Sequence, residues 1–212
     1  MKICYIACAL SCKLDFVPDK KDYVIGADKG YLNLLKHDID PNCVIGDFDS
    51  CTAPIKCETI IRYPVKKDFT DSSLAIEHAV KKGYNKIIVY GAIGGLLDHT
   101  LANIALLADF TERGIDIAFV DGKNVIFAVH NSKIYFEEYA KGRISVFSFN
   151  NKAEGVFERG LMYELNNATL ENKMPLGVSN EFIGEDSEIS VREGTLLIHT
   201  SKENYEKYLT RD

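Results

Sequence analysis

The sequence contains no long apolar run and no cluster of basic residues. Nowhere do roughly 18 apolar residues follow one another, which is the length that a membrane-spanning helix requires. No basic run is longer than two or three residues, and the formal net charge is −6, whereas nucleic-acid-binding proteins gather Lys and Arg on one face. We therefore expect neither a membrane partner nor a polynucleotide partner.

Cysteine is absent beyond residue 57, and the six cysteines up to and including that residue form no metal-binding pattern. None belongs to a CxxC pair, and none has zinc-site spacing from a histidine. A chain of 212 residues needs no disulfide staples, so we expect reduced thiols and a cytoplasmic protein. The apolar run after Lys2 is short and follows one charge, which predicts a first β-strand in preference to a signal peptide.

Several common catalytic or nucleotide-binding motifs are also missing. There is no GxxxxGK[ST] sequence, which excludes a P-loop, and no GxGxxG follows the first predicted strand. No GxSxG elbow or Cys/His pairing indicates a covalent nucleophile. The glycine-rich segment 91–95 is by itself a weak phosphate-binding signal.

What the first 122 residues do contain is an alternation of short apolar runs and helical patterns, typical of a parallel α/β sheet. Gly83 and Gly114 are predicted to end the second and third helices in the left-handed conformation. The predicted strands are Ile3–Ala7, Tyr23–Ala27, Cys43–Gly46, Thr59–Tyr63, Lys86–Tyr90 and Ile115–Val120, and the predicted helices are Gly30–Lys36, Ser72–Lys82 and His99–Arg113.

Residues 123–212 have a different character, with short β-rich segments separated by turn residues. This spacing predicts an antiparallel sandwich or barrel, and the charged last residues are expected to fray. The fold class is therefore an α/β N-terminal domain with a mostly parallel sheet, followed by an all-β sandwich C-terminal domain. The predicted strands are Asn124–His130, Lys133–Glu137, Arg143–Phe149, Glu181–Ile183, Glu188–Arg192 and Thr195–Thr200.

Acidic residues follow the predicted strands of the first domain. The carboxyl ends of parallel strands share one edge of the sheet, where ligands bind. Carboxylates that converge there repel one another unless a cation lies between them, and hard oxygen ligands select Mg²⁺ or Mn²⁺. The sequence thus predicts a divalent-metal site, built from Asp28, Asp47, Asp49, Asp68, Asp71 and Asp98.

Four of these acids also have a structural alternative. Asp71 and Asp98 stand where a helix N-cap is expected, and either Asp47 or Asp49 could form an Asx-turn. His99 could serve as an acid or base, or it could be a solvated residue at a helix start. The residues alone leave these alternatives open.

Taken together, five segments resemble the thiamine pyrophosphokinase family and occur in the family's order. The combination of GDFDS, DxTD and GGxxDH is specific, whereas each piece alone is not. The resemblance implies a Mg²⁺-dependent enzyme that moves a diphosphate from ATP to thiamine, a homodimer, a catalytic domain over 1–122 and a thiamine-binding domain over 123–212. The segments are 27–30, 46–50, 68–71, 94–99 and 177–182.

The resemblance also implies roles for individual residues. Asp47, Asp49 and Asp71 correspond to the acids that bind Mg²⁺ and the diphosphate. The catalytic acids are Asp71, Asp98 and Asp28, and either Asp71 or Asp98 takes the hydroxyl proton. The residues expected to bind the nucleotide or thiamine are Gly94, Gly95, His99, Thr70, Ser179 and Asn180.

Two positions depart from the family pattern. Lys29 stands where the family usually has a second glycine, and Leu96 stands where it usually has an arginine, which removes one expected phosphate contact. Two further interpretations stay open: a diphosphokinase for a pterin or another alcohol, and a non-catalytic module that binds thiamine or a nucleotide. The aromatic ring of Tyr163 is a candidate to contact the cationic thiazolium ring of thiamine. The alternative is that Tyr163 packs in the core.

Overall fold

The computed structural model describes residues 2–48, 54–64 and 68–211. The chain divides into two compact units, Met1–Gly122 and Lys123–Asp212, here the N-terminal and C-terminal units. In the described part of the chain, no helix is long and apolar enough to cross a membrane. Assignment of catalysis to one unit and of thiamine binding to the other stays a prediction.

The N-terminal unit contains six parallel strands in the order β4-β3-β2-β1-β5-β6. Four of them are buried along almost their whole length, as expected of a parallel sheet covered on both faces,. The strands are β1 (Cys4–Ala7), β2 (Tyr23–Ala27), β3 (Cys43–Gly46), β4 (Thr59–Arg62), β5 (Lys86–Tyr90) and β6 (Asp116–Asp121).

Three helices connect these strands: α1 (Gly30–Lys36), α2 (Asp71–Lys81) and α3 (Leu97–Glu112). Their positions agree with the sequence prediction to within two residues at each end. Gly83 and Gly114 follow α2 and α3 with φ of 78° and 82°. This confirms the predicted left-handed ends, which a residue with a Cβ would adopt only at a cost.

The C-terminal unit contains two antiparallel sheets. Strands β12, β9, β14 and β7 lie side by side in the first, and β11, β10, β13, β8 and β15 in the second. The bounds are β7 (Asn124–His130), β8 (Lys133–Phe136), β9 (Arg143–Ser148), β10 (Lys152–Arg159), β11 (Leu165–Glu171), β12 (Asn180–Glu181), β13 (Ser187–Ser190), β14 (Thr195–Ser201), α4 (Lys202–Lys207) and β15 (Leu209–Arg211).

The sequence did not predict β10 and β11. In β10 the alternation is interrupted by Gly155 at φ of 65° and by register shifts on either side of Val156. β11 is an edge strand, and most of its residues are exposed or half-buried, so it lacks the apolar pattern of a central strand. The broad prediction of an α/β unit followed by antiparallel β-structure is confirmed.

The last few residues were expected to fray, but in the structure Leu209–Arg211 form β15, which pairs with β8, and the segment before them is anchored as well. Ser201 caps α4 by accepting a hydrogen bond from the Asn204 backbone N–H over 3.1 Å. The Tyr205 ring packs beside Phe127, with 5.1 Å between ring centroids. A side-chain cap and an aromatic contact anchor this polar segment.

Candidate active site

A cavity of about 390 Å³ lies at the carboxyl ends of the strands in the N-terminal unit. Five of the predicted site residues line it. Asp47 and Asp98 lie outside this lining, as does Gly95, which adjoins a lining glycine. Asp49 falls outside the described residues. The predicted residues that line the cavity are Asp28, Thr70, Asp71, Gly94 and His99.

Asp28 directly follows β2 and has a φ of 46°. Its backbone N–H donates to the Ile45 carbonyl over 2.8 Å, which ties it to the neighbouring strand. A Cβ on Gly46 would lie 3.1 Å from the Asp28 Cα, so glycine lets the two strand ends approach. A non-glycine residue at positive φ costs about 1–3 kcal/mol, and such residues cluster at functional sites.

The helix-capping role suggested as an alternative for Asp71 is filled by the preceding residue, Thr70. Thr70 is the N-cap of α2, and its Oγ1 accepts from the Ser73 backbone N–H over 3.2 Å. Asp71 lies in the first helical turn, where the helix dipole favours a negative charge. Its carboxylate is therefore not needed as the cap.

Asp98 does not cap its helix either. The N-cap of α3 is Leu96, which makes no side-chain cap hydrogen bond. Asp98 is in the first turn and exposed, and its Oδ1 accepts from the His99 backbone N–H over 2.8 Å. For both acids, the simple capping interpretation is wrong.

The loop after β5 presents glycine backbone at the cavity. Gly91 and Gly94 have positive φ, and Gly94 is exposed. A Cβ on Gly91 would lie 2.5 Å from the Leu10 carbonyl oxygen, so this position requires glycine. An exposed glycine backbone allows a bulky polyanion to approach the main chain closely.

Two buried asparagines near this cavity were not predicted as site residues from the sequence. Asn33 donates through Nδ2 to the Cys8 and Leu10 carbonyls, over 2.9 and 2.7 Å. Asn103 donates to the Ala92 carbonyl over 2.6 Å. Asn103 lies on the buried face of α3 together with Leu107, four residues later. A polar asparagine on an otherwise apolar helix face is the sequence feature that indicates a buried hydrogen-bonding role.

Cys8, which lines the cavity, is not an activated nucleophile. Burial raises the pKa of the Cys8 thiol to about 12, with smaller contributions from Cys12 and the Asp71 carboxylate. A thiol with such a pKa stays protonated near neutral pH and is a poor nucleophile. This agrees with the absence of a covalent-nucleophile motif.

The donor chemistry of the acidic residues suits a hard divalent cation. Asp28 and Asp71 line the same cavity, and Asp47 directly follows β3 and is half-buried. Among residues 2–48, 54–64 and 68–211, no group of three His, Cys, Asp or Glu side chains is close enough to hold a metal. Mg²⁺ commonly uses one or two carboxylates together with substrate phosphates, and the donors present fit that arrangement.

In the C-terminal unit, the Asn180 amide is saturated by contacts within the chain. Its Oδ1 accepts from the backbone N–H groups of Tyr163 and Glu181, both over 2.9 Å. Its Nδ2 donates to the Tyr163 carbonyl over 2.7 Å and to Glu158 over 2.8 Å. An amide has two donors and two acceptor sites, so this geometry favours a positioning role over direct ligand contact.

The neighbouring Ser179 is exposed and has a φ of 60°. Its backbone N–H donates to the Ser145 Oγ over 3.0 Å. Tyr163 is 64% exposed, so the core-packing alternative for it is wrong. The roles of Ser179, Asn180 and Tyr163 toward a ligand stay predictions.

Comparison with known proteins identifies the family. The model of the thiamin pyrophosphokinase catalytic domain matches residues 15–119, and that of the thiamin pyrophosphokinase vitamin B1 binding domain matches residues 131–196. Thiamine pyrophosphokinase of Bacillus subtilis (strain 168) is 31% identical over 197 residues, which is 87% of this chain and 92% of the relative. The chain belongs to the thiamine pyrophosphokinase family.

Solved thiamine pyrophosphokinase structures share the fold. The crystal structure of the Bacillus subtilis enzyme has a TM-score of 0.81 at 29% identity, covering 95% of this chain and 99% of that one. A thiamin pyrophosphokinase family protein from Enterococcus faecalis gives the same TM-score and coverage at 28% identity. These findings favour thiamine pyrophosphokinase over another diphosphokinase or a non-catalytic module and confirm the sequence prediction.

Proposed function

We propose that this protein transfers a diphosphate from ATP to the hydroxyl of thiamine, releasing AMP. The observation that carries the proposal is the 390 Å³ cavity, where Asp28, Asp71 and the exposed backbone of Gly94 meet at the carboxyl ends of a parallel sheet. Nucleotides bind at this edge in open α/β sheets. Family membership supplies the acceptor, since the relatives are named for thiamine.

The nucleotide phosphates are proposed to lie along the glycine loop and the start of α2. Gly94 is exposed, and Thr70 and His99 line the same cavity. The Thr70 hydroxyl is engaged by the Ser73 N–H and lies 2.9 Å from the Ser72 hydroxyl. Because these contacts hold the start of α2, we expect Asp71 to be presented to the phosphates in a fixed orientation.

Asp47, Asp49 and Asp71 are the residues proposed to hold Mg²⁺. When bound, Mg²⁺ would neutralise the phosphate charge that otherwise repels an acidic site. The protein's contribution is to hold carboxylate oxygens beside rigid elements, since Asp47 directly follows β3 and Asp71 lies in the first turn of α2. Rigid elements position ligands more accurately than loops do.

The reaction requires one bond to form and one to break. The thiamine hydroxyl oxygen attacks the β-phosphorus, and the bond from that phosphorus to the oxygen bridging to the α-phosphate breaks. AMP leaves with the electron pair, and the hydroxyl proton passes to a carboxylate. Of the two proton acceptors considered, Asp71 is better placed than Asp98, because Asp71 lines the cavity.

On the thiamine side, the Ser179 hydroxyl is proposed to contact the ligand while Asn180 positions the surrounding chain. This division follows from exposure, since Ser179 is exposed whereas Asn180 is 2% exposed with its amide fully engaged. We also propose a homodimer, which light scattering of the purified protein tests directly.

The proposed reaction is tested by phosphorus NMR of the purified protein with ATP, thiamine and Mg²⁺. Equal amounts of AMP and thiamine diphosphate, with both absent after EDTA treatment, are the expected result. Appearance of ADP and inorganic phosphate, or intact ATP at saturating thiamine, would contradict the proposal. A pterin alcohol offered in place of thiamine serves as the control for acceptor choice.

A further inference from the structure

Two loops meet at the 390 Å³ cavity of the N-terminal unit. They are the β1 loop (residues 8–14), which follows β1, and the glycine loop (residues 91–95), which follows β5. Leu10 of the first loop and Gly94 of the second both line the cavity. The Leu10 backbone N–H donates to the Gly91 carbonyl over 3.3 Å. The position of the glycine loop therefore depends on the position of Leu10.

Leu10 also packs against the glycine loop through its carbonyl oxygen and its side chain. A Cβ on Gly91 would lie 2.5 Å from the Leu10 carbonyl oxygen, and a Cβ on Gly95 would lie 2.6 Å from the Leu10 Cδ2. Because glycine has no Cβ, the loop can approach Leu10 this closely. The same glycines have no side chains that could fix the loop, so its order comes from the residues packed against it.

Asn33, in α1, fixes the β1 loop through its side-chain amide. Its Nδ2 donates to the Leu10 carbonyl over 2.7 Å and to the Cys8 carbonyl over 2.9 Å. The amide has two N–H donors, so one can serve each carbonyl. Asn33 is 3% exposed, and a buried carbonyl that loses its donor is costly. The β1 loop is thus tied to α1 at two carbonyls.

A second side chain at the end of α1 holds the far end of the β1 loop. His37 is the C-cap residue of this helix. The Leu14 backbone N–H donates to His37 Nε2 over 3.3 Å. The ring proton therefore lies on Nδ1, which donates to the Asn33 carbonyl oxygen over 2.9 Å,. The β1 loop is connected to α1 at residues 8, 10 and 14.

These contacts form one connection from a helix to the loop proposed to bind phosphates. Glycine has the greatest backbone freedom of all residues, and ordering a flexible loop during binding reduces affinity. A glycine loop that is fixed before the ligand arrives avoids this cost and presents its backbone in the required arrangement. Asn33 acts on the glycine loop through Leu10.

We propose that Asn33 is a positioning residue for the nucleotide: through Leu10, it holds the glycine loop in the arrangement that receives the ATP phosphates. Asn33 does not itself line the cavity, so its effect on ATP passes through the β1 loop. The inference rests on the proposed function and adds to it the residue that orders one wall of the nucleotide site.

The first test removes the amide. Calorimetric titration of the purified protein with ATP and Mg²⁺, without thiamine, should show at least about tenfold weaker binding for Asn33→Ala. Asn33→Asp keeps the shape of the side chain, but a carboxylate has no donor for the two carbonyls. Asn33→Asp should therefore weaken ATP binding at least as much as Asn33→Ala. Unchanged ATP affinity in both variants would overturn the inference.

Steady-state kinetics separate positioning from a general loss of structure. The KM for ATP of Asn33→Ala should rise at least about tenfold, while kcat and the KM for thiamine stay within about threefold. This split is expected because saturating ATP restores the bound arrangement of the glycine loop. An equal rise in the two KM values would contradict the proposed role.

A double-mutant cycle tests whether Asn33 acts through Leu10. Leu10→Ala removes the side chain that packs on Gly95 and should by itself weaken ATP binding at least about fivefold. If the two residues belong to one connection, the double variant should bind ATP within about twofold of the weaker single variant. Effects that multiply in the double variant would overturn the connection through Leu10. Leu10 is half-buried, so if Asn33→Ala does not fold, Leu10→Ala and Asn33→Asp decide.

Asn204→Ala is the matched control for loss of a buried amide. Asn204 is 2% exposed, and its Nδ2 donates to the Lys141 carbonyl over 2.9 Å and to the Thr200 Oγ1 over 3.1 Å. Asn204→Ala should lower the thermal unfolding midpoint as Asn33→Ala does, yet leave the KM for ATP within about twofold. A rise in the KM for ATP as large as that of Asn33→Ala would show that lost stability alone explains the effect.

Failure of the inference and failure of the proposed function give different results. If the unmodified protein binds ATP but forms no thiamine diphosphate, the proposed function is contradicted, and the ATP affinity of Asn33→Ala still decides the role of Asn33. If the unmodified protein forms AMP and thiamine diphosphate and Asn33→Ala binds ATP equally well, the role of Asn33 alone is contradicted. Absence of ATP binding by the unmodified protein would contradict both.

Discussion

Asn103 donates a hydrogen bond from its Nδ2 to the carbonyl oxygen of Ala92 over 2.6 Å. Its Oδ1 accepts from the Ser72 hydroxyl over 2.7 Å, and the Ser72 Oγ lies 2.9 Å from the Thr70 Oγ1. This chain of contacts connects the glycine loop after β5 with the start of α2. One buried amide thus fixes two segments that line the proposed nucleotide site.

Replacement of Asn103 by alanine should affect both stability and nucleotide use. The Ser72 hydroxyl and the Ala92 carbonyl would each lose a buried partner, so we expect a loss of about 1–3 kcal/mol in the free energy of unfolding. The KM for ATP should rise because the glycine loop is released from α2. Urea unfolding and steady-state kinetics measure the two effects.

Asn172→Ala, at an exposed position of the C-terminal unit, is the matched control and should change neither quantity. A drop in stability with an unchanged KM for ATP would limit the role of Asn103 to folding.

Replacing the acidic residues with asparagine should lower kcat by amounts that depend on whether each side chain lines the cavity. Asp71→Asn and Asp47→Asn should each lower kcat by about 100-fold or more, since the first faces the cavity and both are proposed Mg²⁺ ligands. Asp98→Asn should have a smaller effect, because its carboxylate accepts from the His99 backbone N–H and the side chain does not line the cavity.

Single-turnover assays at saturating Mg²⁺ measure these differences, and the far-UV circular dichroism spectrum controls for folding. A larger loss for Asp98→Asn than for Asp71→Asn would assign the proton acceptor to Asp98 instead.

A positive charge restored at position 96 should strengthen ATP binding. Leu96 is 66% exposed and lines the cavity together with Lys29. Leu96→Arg should lower the KM for ATP by up to about tenfold, because an arginine can make charge-assisted hydrogen bonds to a phosphate. Lys29→Ala should raise the KM, since it removes a cation from the same cavity.

Leu101→Arg is the control for added charge, because Leu101 is 59% exposed on the same helix and does not line the cavity. If Leu101→Arg lowers the KM for ATP as much as Leu96→Arg does, the gain reflects long-range attraction in place of a local contact.

Glu158 should make stability depend on pH. Burial raises its pKa from 4.5 to about 7, so the folded protein holds the proton more tightly than the unfolded chain. The stabilisation from the protonated group is full below about pH 4.5, declines as the pH rises, and is lost above about pH 7. The total change is on the order of 3 kcal/mol.

Glu158→Gln cannot ionise, and its stability should lack this decline. Urea unfolding of both proteins at about pH 5 and about pH 8 measures the difference. A decline of equal size in the two proteins would show that another group is responsible.

The acids within the described residues follow the strands as the sequence predicted, but the sequence could not show which of them face one cavity. Asp28 and Asp71 do so, whereas Asp98 lies in the exposed first turn of α3. The difference depends on helix orientation and on the path of the loop after β5, which are set by packing. The N-cap role of Thr70 similarly depends on the extended backbone conformation of this residue at the helix start.

Prediction of strands from the sequence is limited in the same way, because local patterns do not show how strands pair. β2, β3 and β5 were predicted with the bounds that the structure has, because a buried parallel strand is apolar throughout,. β10 and β11 were missed, because a bulged strand and an edge strand carry no regular apolar pattern. Their place in the sheet comes from pairing with strands distant in sequence.

The sequence by itself determined the family, the α/β-then-β order of the chain and the set of acids at the strand ends. These properties are encoded locally, in apolar periodicity, turn residues and short combined motifs. Only the tertiary structure revealed the Asn103 contacts, the saturated amide of Asn180 and the buried carboxyl of Glu158. Each depends on desolvation and on hydrogen bonds between residues far apart in sequence, and neither can be read from a local pattern.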